Sequence, residues 1–144
     1  VEEATRHPGR QWIVAKATNN AEIEAAFATF ARAAAGGLYI GSGAFFNSRR
    51  DLIAASAARY RLPAVAPLRS FAEAGVLASY GPDRRDAYRR AGVYVSRILK
   101  GAKPSDLPIE LSRKYELVLN LKTAKALSFG IPQAILLRAD DAIH

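Results

Sequence analysis

The chain has 144 residues, half of them hydrophobic, with 21 Lys and Arg against 13 Asp and Glu and a net charge of +8. One domain with a core of ordinary size fits that length and balance, and no apolar run nears the ~20 residues of a membrane span. The absence of cysteine excludes a disulfide framework, a thiolate metal site and a cysteine nucleophile, and the two histidines, His7 and His144, lie too near the ends for a histidine triad or metal cluster.

Residues 1–10 read as a helix end or loop, with Pro8-Gly9 as the turn. Residues 11–17, QWIVAKA, alternate as a strand would, with Trp12 and Val14 on one face and Ile13 and Ala15 on the other. Asn19 followed three residues later by Glu22 has the form of a capping box. Ile23, Ala26, Phe27, Phe30, Ala31 and Ala34 then make the apolar stripe of a helix that Gly36-Gly37 ends. Residues 38–40 predict a short buried strand. A helix over 47–60, capped by Asn47, turns Leu52, Ile53, Ala57 and Tyr60 inward. Strands at 63–66 and 76–79 flank a turn or short helix at 69–74, and the second strand ends in Tyr80-Gly81-Pro82. Asp83 caps a long helix in which Ala87, Ala91, Val95 and Ile98 recur near the helical period, and Gly101 stops it. Residues 102–112 form a crossover without periodicity. YELVLNL at 115–121 is the strongest strand, and helices at 122–127 and 133–143 close the chain. This alternation predicts an α/β fold: a mostly parallel sheet flanked by helices, with right-handed crossovers.

The candidate chemistry centres on LYIGSGAFFNSRR at 38–50. A strand there runs into Gly41-Ser42-Gly43, then Phe45-Phe46, then a helix start. Ligands of open α/β sheets bind past the carboxyl ends of strands, and a glycine turn lets the backbone come close to them. The spacing is not a dinucleotide fingerprint, because the third glycine would fall at Phe46, and no Gly-Lys-Ser/Thr follows to make a phosphate loop. Ser42 lacks the full pattern of a nucleophile elbow. Glu2-Glu3 and Asp140-Asp141 read as solvated charge, and Asp83 and Asp86 suit the positive end of a helix. The densest basic spots are Arg49-Arg50, Arg84-Arg85 and Arg89-Arg90, without interleaved aromatics, so they read as solvated faces and nucleic acid is not an expected partner. Ser42, Phe45, Phe46, Arg69, Ser79 and Tyr80, all at strand ends, suit recognition of a small molecule.

Three strings, FFNSRRDLIAASAARYRLPAV, FAEAGVLASYGPDRRDAYRRAGVYVSRILKGAKPSDLP and KYELVLNLKTAKALSFGIPQAILLRADDAI, together resemble the ABC transporter substrate-binding protein family with a type I periplasmic-binding-protein fold. The resemblance runs from about Trp12 onward, and the best-understood relatives are associated with aromatic amino acid uptake. It implies two Rossmann-like lobes hinged around a ligand cleft, of which this chain carries the carboxyl-terminal portion. Residues 1–81 would belong to the second lobe, 82–101 would be a helix crossing back toward the first, and 102–144 would rejoin the second. The resemblance also implies a periplasmic or otherwise extracytoplasmic binding component, not an enzyme, without a cofactor. Such a component would hand a small molecule, aromatic or apolar and amino-acid-like, to an ABC transporter permease. Ser42, Ser79 and the backbone near Gly43 would serve polar ligand atoms. Phe45, Phe46 and Tyr80 would wall or stack the ligand, and Arg69 would pair with a carboxylate.

Ser79-Tyr80-Gly81 keeps the family pattern, while other positions depart from it. Gly43-Ala44 stand where Asp-Pro usually precedes the phenylalanines, Ala66-Pro67-Leu68 replace larger residues, and Ser70 replaces the Glu before Phe71. That smaller wall points to a bulkier or more apolar solute. If the chain acts alone, a second copy is expected to cover its open inter-lobe surface as a dimer. Two alternatives stand beside this reading: a ligand-sensing domain of a regulator, and a small α/β enzyme using Ser42.

Overall fold

The computed structural model describes residues 11–112 and 114–144. The reading of residues 1–10 therefore lies outside the described residues. In chain order the elements are α1 (Asn20–Arg32), β1 (Leu38–Tyr39), α2 (Ala44–Ser48), α3 (Arg50–Arg59), β2 (Ala64–Ala66), α4 (Arg69–Glu73) and β3 (Ala78–Pro82). There follow α5 (Arg84–Leu99), a 3-10 turn at Pro104–Asp106, β4 (Tyr115–Asn120), α6 (Leu121–Leu127), α7 (Gln133–Leu136) and β5 (Asp141–Ile143). The five strands form one sheet in sequential order. Three pairings are parallel and β3–β4 is antiparallel. The predicted α/β class with a mostly parallel sheet is the observed one.

The core lies on one face of this sheet. Alternation along β2 and β3 puts Ala64, Ala66 and Ser79 on the same side, with Ala66 opposite Ser79 in the register. Ile23, Phe27 and Phe30 from α1, Ile53 and Ala57 from α3, and Phe71 from α4 close over it. The capping box forms as the spacing requires. The Asn19 side chain accepts from the Glu22 amide at 2.9 Å, and Glu22 accepts from the Thr18 amide at 2.6 Å. These bonds hold the Glu22 carboxyl below the usual carboxylate range, the Thr18 amide contributing most.

Several predicted elements come out differently. Residues 11–17 form no strand, and Trp12, Ile13 and Val14 are exposed. A strand exists only where a neighbour completes its ladder, and β1, an edge of the sheet, pairs only with β2 among the described residues. The 47–60 helix starts earlier, at Ala44 with Gly43 as its cap, and breaks at Arg49. Asn47 thus sits inside α2 rather than capping it. Arg49 leaves the helical path, donates to Asn20 Oδ1 at 2.8 Å and lies 5.7 Å over the Phe45 ring. The helix expected over 133–143 stops at Leu136, and Asp141–Ile143 instead becomes β5, parallel to β4. Asp140 secures that turn by accepting from the Leu117 amide at 2.8 Å, so the Asp140-Asp141 pair is engaged rather than merely solvated.

The long helix α5 is capped by Asp83 as expected, but none of its residues is buried. Ala87, Ala91, Val95 and Ile98 all remain exposed. The following crossover lies along the helix through the Tyr94 hydroxyl, which donates to the Pro108 carbonyl at 2.6 Å, and through an Arg90–Glu110 ion pair.

Candidate functional site

The parallel strands β1, β2 and β3 end side by side, running into residues 40–43, 67–68 and 83–84. At the ends of β2 and β3 lies a cleft of about 490 Å³. Pro67, Leu68, Arg69 and Ser70 form one bank, and Gly81 with the start of α5 forms the other. Gly81 makes this shape: a Cβ there would stand 1.9 Å from the Pro67 carbonyl oxygen. Only a residue without a side chain lets β3 run so close beside the loop after β2.

Charge is dense around the cleft. Arg69 reaches Glu116 at 2.6 Å, Glu73 at 2.9 Å, and Asp141. Each of its three nitrogens is thereby committed to a carboxylate, which bolts α4 to β4 and β5. Its guanidinium is held above its ordinary value, by Asp141 first and then Glu73. Arg69, expected to pair with a ligand carboxylate, has carboxylates of its own chain as its partners. Asp83 is held below the usual carboxylate range by Lys114, 3.0 Å away, and by the amides it caps. Arg89 at 2.8 Å and Arg90 at 2.9 Å lower Asp86 in the same way.

Of the seven residues expected to meet the ligand, Arg69 alone lines this cleft, together with the wall positions Pro67, Leu68 and Ser70. Phe45 and Phe46, with ring centroids 5.6 Å apart, are half-buried against the core at the neighbouring tip of β1. Ser42 and Gly43 are exposed on the turn just before them. The Ser70 hydroxyl lies 3.4 Å from Asn47 Oδ1, so the Phe45-Phe46 helix and the cleft bank touch. Ser79 is 1% exposed and lies inside the sheet between Ala66 and Val118, so its hydroxyl is not offered to a ligand. Tyr80, next along the strand, leaves from the opposite face, is 57% exposed and packs 5.7 Å from Tyr115. Tyr80 and the phenylalanines do not converge on one hollow as expected: successive side chains of a strand point to opposite sides, and the phenylalanines pack on the core side. Arg84, Arg85 and Lys114 line the cleft unpredicted; the two arginines were visible only as the basic pair after Asp83.

Among the described residues nothing clusters as a metal site, and no helix is long and apolar enough to cross a membrane. No base is hydrogen-bonded to Ser42 among them either, so the nucleophile reading finds no partner there.

An open, mostly parallel sheet with a cleft at its strand tips defines an α/β ligand-binding lobe. The chain matches the profile of the ABC transporter substrate binding protein family over residues 9–143, and it belongs to that family. No curated protein matches it. A conserved domain protein from Vibrio cholerae is 26% identical with a TM-score of 0.80, over 89% of this chain and 43% of that one. An ABC domain in complex with L-Trp from Streptococcus pneumonia is 25% identical with a TM-score of 0.77, over 87% and 43%. A ligand-free, open substrate binding protein with adhesive properties from Clostridium difficile shares the fold at 21% identity and a TM-score of 0.66, over 91% and 44%. This chain therefore spans less than half the length of each similar structure. The family is one of substrate-binding proteins, not enzymes.

Proposed function

We propose that this chain supplies one wall of a solute-binding cleft in the extracytoplasmic binding component of an ABC importer. The observation that carries the reading is the cleft at the carboxyl ends of β2 and β3, where open α/β sheets take their ligands. On this reading residues 1–81 and 102–144 make the second lobe, and 82–101 return toward a first lobe. Closing two lobes on a solute separates loaded from empty protein, and the transporter reads that difference. Phe45 and Phe46 give the site an apolar flank beside Ser70, and Ser42 with the Gly43 amide meets polar atoms of the solute. Arg69 holds the cleft in shape from behind. The L-Trp complex of the Streptococcus neighbour supports an aromatic amino-acid-like solute.

Isothermal titration of the full-length protein with L-tryptophan and L-phenylalanine tests this. Phe46→Ala is expected to weaken binding by roughly tenfold or more, the cost of losing about 1.5–3 kcal/mol of apolar burial. A melting temperature measured on the same samples separates lost contact from lost fold. Unchanged affinity in a folded Phe46→Ala protein overturns the placement of the solute, and the absence of binding by either amino acid counts against the solute class.

A further inference from the structure

The charges around the cleft balance, but they are not evenly placed. At the Arg69 end a single cation answers three carboxylates, Glu116 at 2.6 Å, Glu73 at 2.9 Å and Asp141. At the α5 end the lining cations Arg84, Arg85, Arg89 and Lys114 stand against Asp83 and Asp86 alone. Arg90, the next cation along α5, is matched by Glu110. The Arg69 end is therefore negative by as much as the α5 end is positive, and the first-turn amides of α5 add the positive end of a helix to the latter. The cleft is neutral as a whole and dipolar from end to end.

Most of these groups are spent on one another. Asp83 uses one oxygen on Lys114 and the other on the amides it caps, and Asp86 uses one on Arg89 and the other on Arg90. Arg84 gives its Nη2 to the Tyr88 hydroxyl at 2.8 Å. One lining group at each end keeps capacity among the described residues. Glu116 accepts from Arg69 at Oε1 and leaves Oε2 without a hydrogen bond. The Arg85 guanidinium makes neither an ion pair nor a hydrogen bond, and it is exposed. An open acceptor thus stands at the negative end and an open donor fork at the positive end.

Water and salt screen such a dipole while the cleft is open. Once a solute displaces that water the local dielectric falls, and a solute with a single charge leaves one end unanswered. A zwitterion lying along the dipole answers both. Arginine takes a carboxylate with two parallel hydrogen bonds, and a carboxylate oxygen accepts readily from an ammonium group. We propose that Glu116 and Arg85 set the specificity of this cleft: Glu116 Oε2 accepts from the α-ammonium group of the solute, and Arg85 takes its α-carboxylate. This rests on the solute-binding reading above and deepens it, by giving each charged end of an amino-acid-like solute a partner and leaving its side chain to the Phe45-Phe46 flank.

The test is isothermal titration of the full-length protein with L-tryptophan and with two probes that each lack one charged end, indole-3-propionate and tryptamine. Tryptophan is expected to bind about tenfold tighter than either, or more, the worth of one hydrogen bond to a charged group. Arg85→Gln is expected to weaken tryptophan and indole-3-propionate by a similar factor and to leave tryptamine unchanged, with Arg85→Lys recovering part of the loss. Glu116→Gln is expected to weaken tryptophan and tryptamine and to leave indole-3-propionate unchanged. The melting temperature of Arg85→Gln should match the parent, since the side chain is exposed. Glu116 also holds Arg69, so if Glu116→Gln fails to fold, the Arg85 variants decide the matter alone. Equal binding of the three probes, or variants that weaken all three alike or none, overturns the Glu116–Arg85 assignment and leaves the solute-binding reading standing. The absence of binding by all three overturns the assignment and the solute class together.

Discussion

A methyl group on Gly81 would stand 1.9 Å from the Pro67 carbonyl oxygen and 2.9 Å from its carbon, and neither backbone atom can swing aside as a side chain would. Gly81→Ala therefore has to push β3 away from the loop after β2. The expected cost is about 1–3 kcal/mol, the usual price of overpacking, read as a lower urea midpoint at an unchanged slope. An unmoved midpoint would mean that the loop yields freely. In the sequence Gly81 is legible only as the third letter of a family motif, since the atom that excludes a side chain lies in the loop after β2. Arg69 is similar. Its partners Glu116 and Asp141 are 47 and 72 residues away, so no local spacing announces the hub. Arg84-Arg85 is visible as a basic pair, but its place on the cleft depends on how β3 meets Pro67. Ser79 and Tyr80, expected at the end of a strand over 76–79, lie inside β3. Which of them faces inward is decided by the Ala66–Ser79 register, which lies beyond any single strand.

At the scale of elements, what is local was legible and what depends on a neighbour was not. The α1 capping box and its apolar stripe, and the Asp83 cap of α5, need only a few successive residues. QWIVAKA has the alternation of a strand without a ladder to join, and Asp141–Ile143 has little strand character of its own but finds β4. The ion pairs of Arg69 tie that last strand to α4. Asp141 is held below its ordinary value chiefly by Arg69, so the unfolded chain takes up its proton at a higher pH than the folded one does. Between the two values the unfolded state binds more protons, and stability rises with pH. The contribution of Asp141 is then complete above about pH 4, the ordinary aspartate range, and is lost as pH falls through the lower folded value. Thermal melts across that acid range should show a shallower loss of melting temperature in Asp141→Asn than in the parent. Parallel curves would show that the Arg69–Asp141 pair adds nothing to folding.

For the molecule as a whole, one face of the sheet is covered and part of the other is not. Tyr39 pairs with Val65, Tyr80 follows on β3, and Tyr115 lies beyond it opposite Pro82. All four residues are exposed, and they share the face away from α1, α3 and α4. Large aromatics lying together in solvent form a patch of the kind that takes up apolar dyes. The chain is therefore expected to enhance anilinonaphthalene sulfonate fluorescence, and the double variant Tyr80→Ser, Tyr115→Ser to lower that signal. The same variant should leave the unfolding free energy within about 0.5 kcal/mol, as exposed substitutions do. Phe71→Ala, on the closed face, should instead cost about 3–5 kcal/mol. The contrast is what makes the measurement decisive: a dye signal that ignores both tyrosines, or a double variant as damaging as Phe71→Ala, would mean that the outer face is already packed. The similar structures are more than twice the length of this chain, so the same dye titration on a longer protein containing it reads directly whether further chain covers Tyr80 and Tyr115. A lower signal per molecule there, insensitive to the two serines, is the result expected if it does.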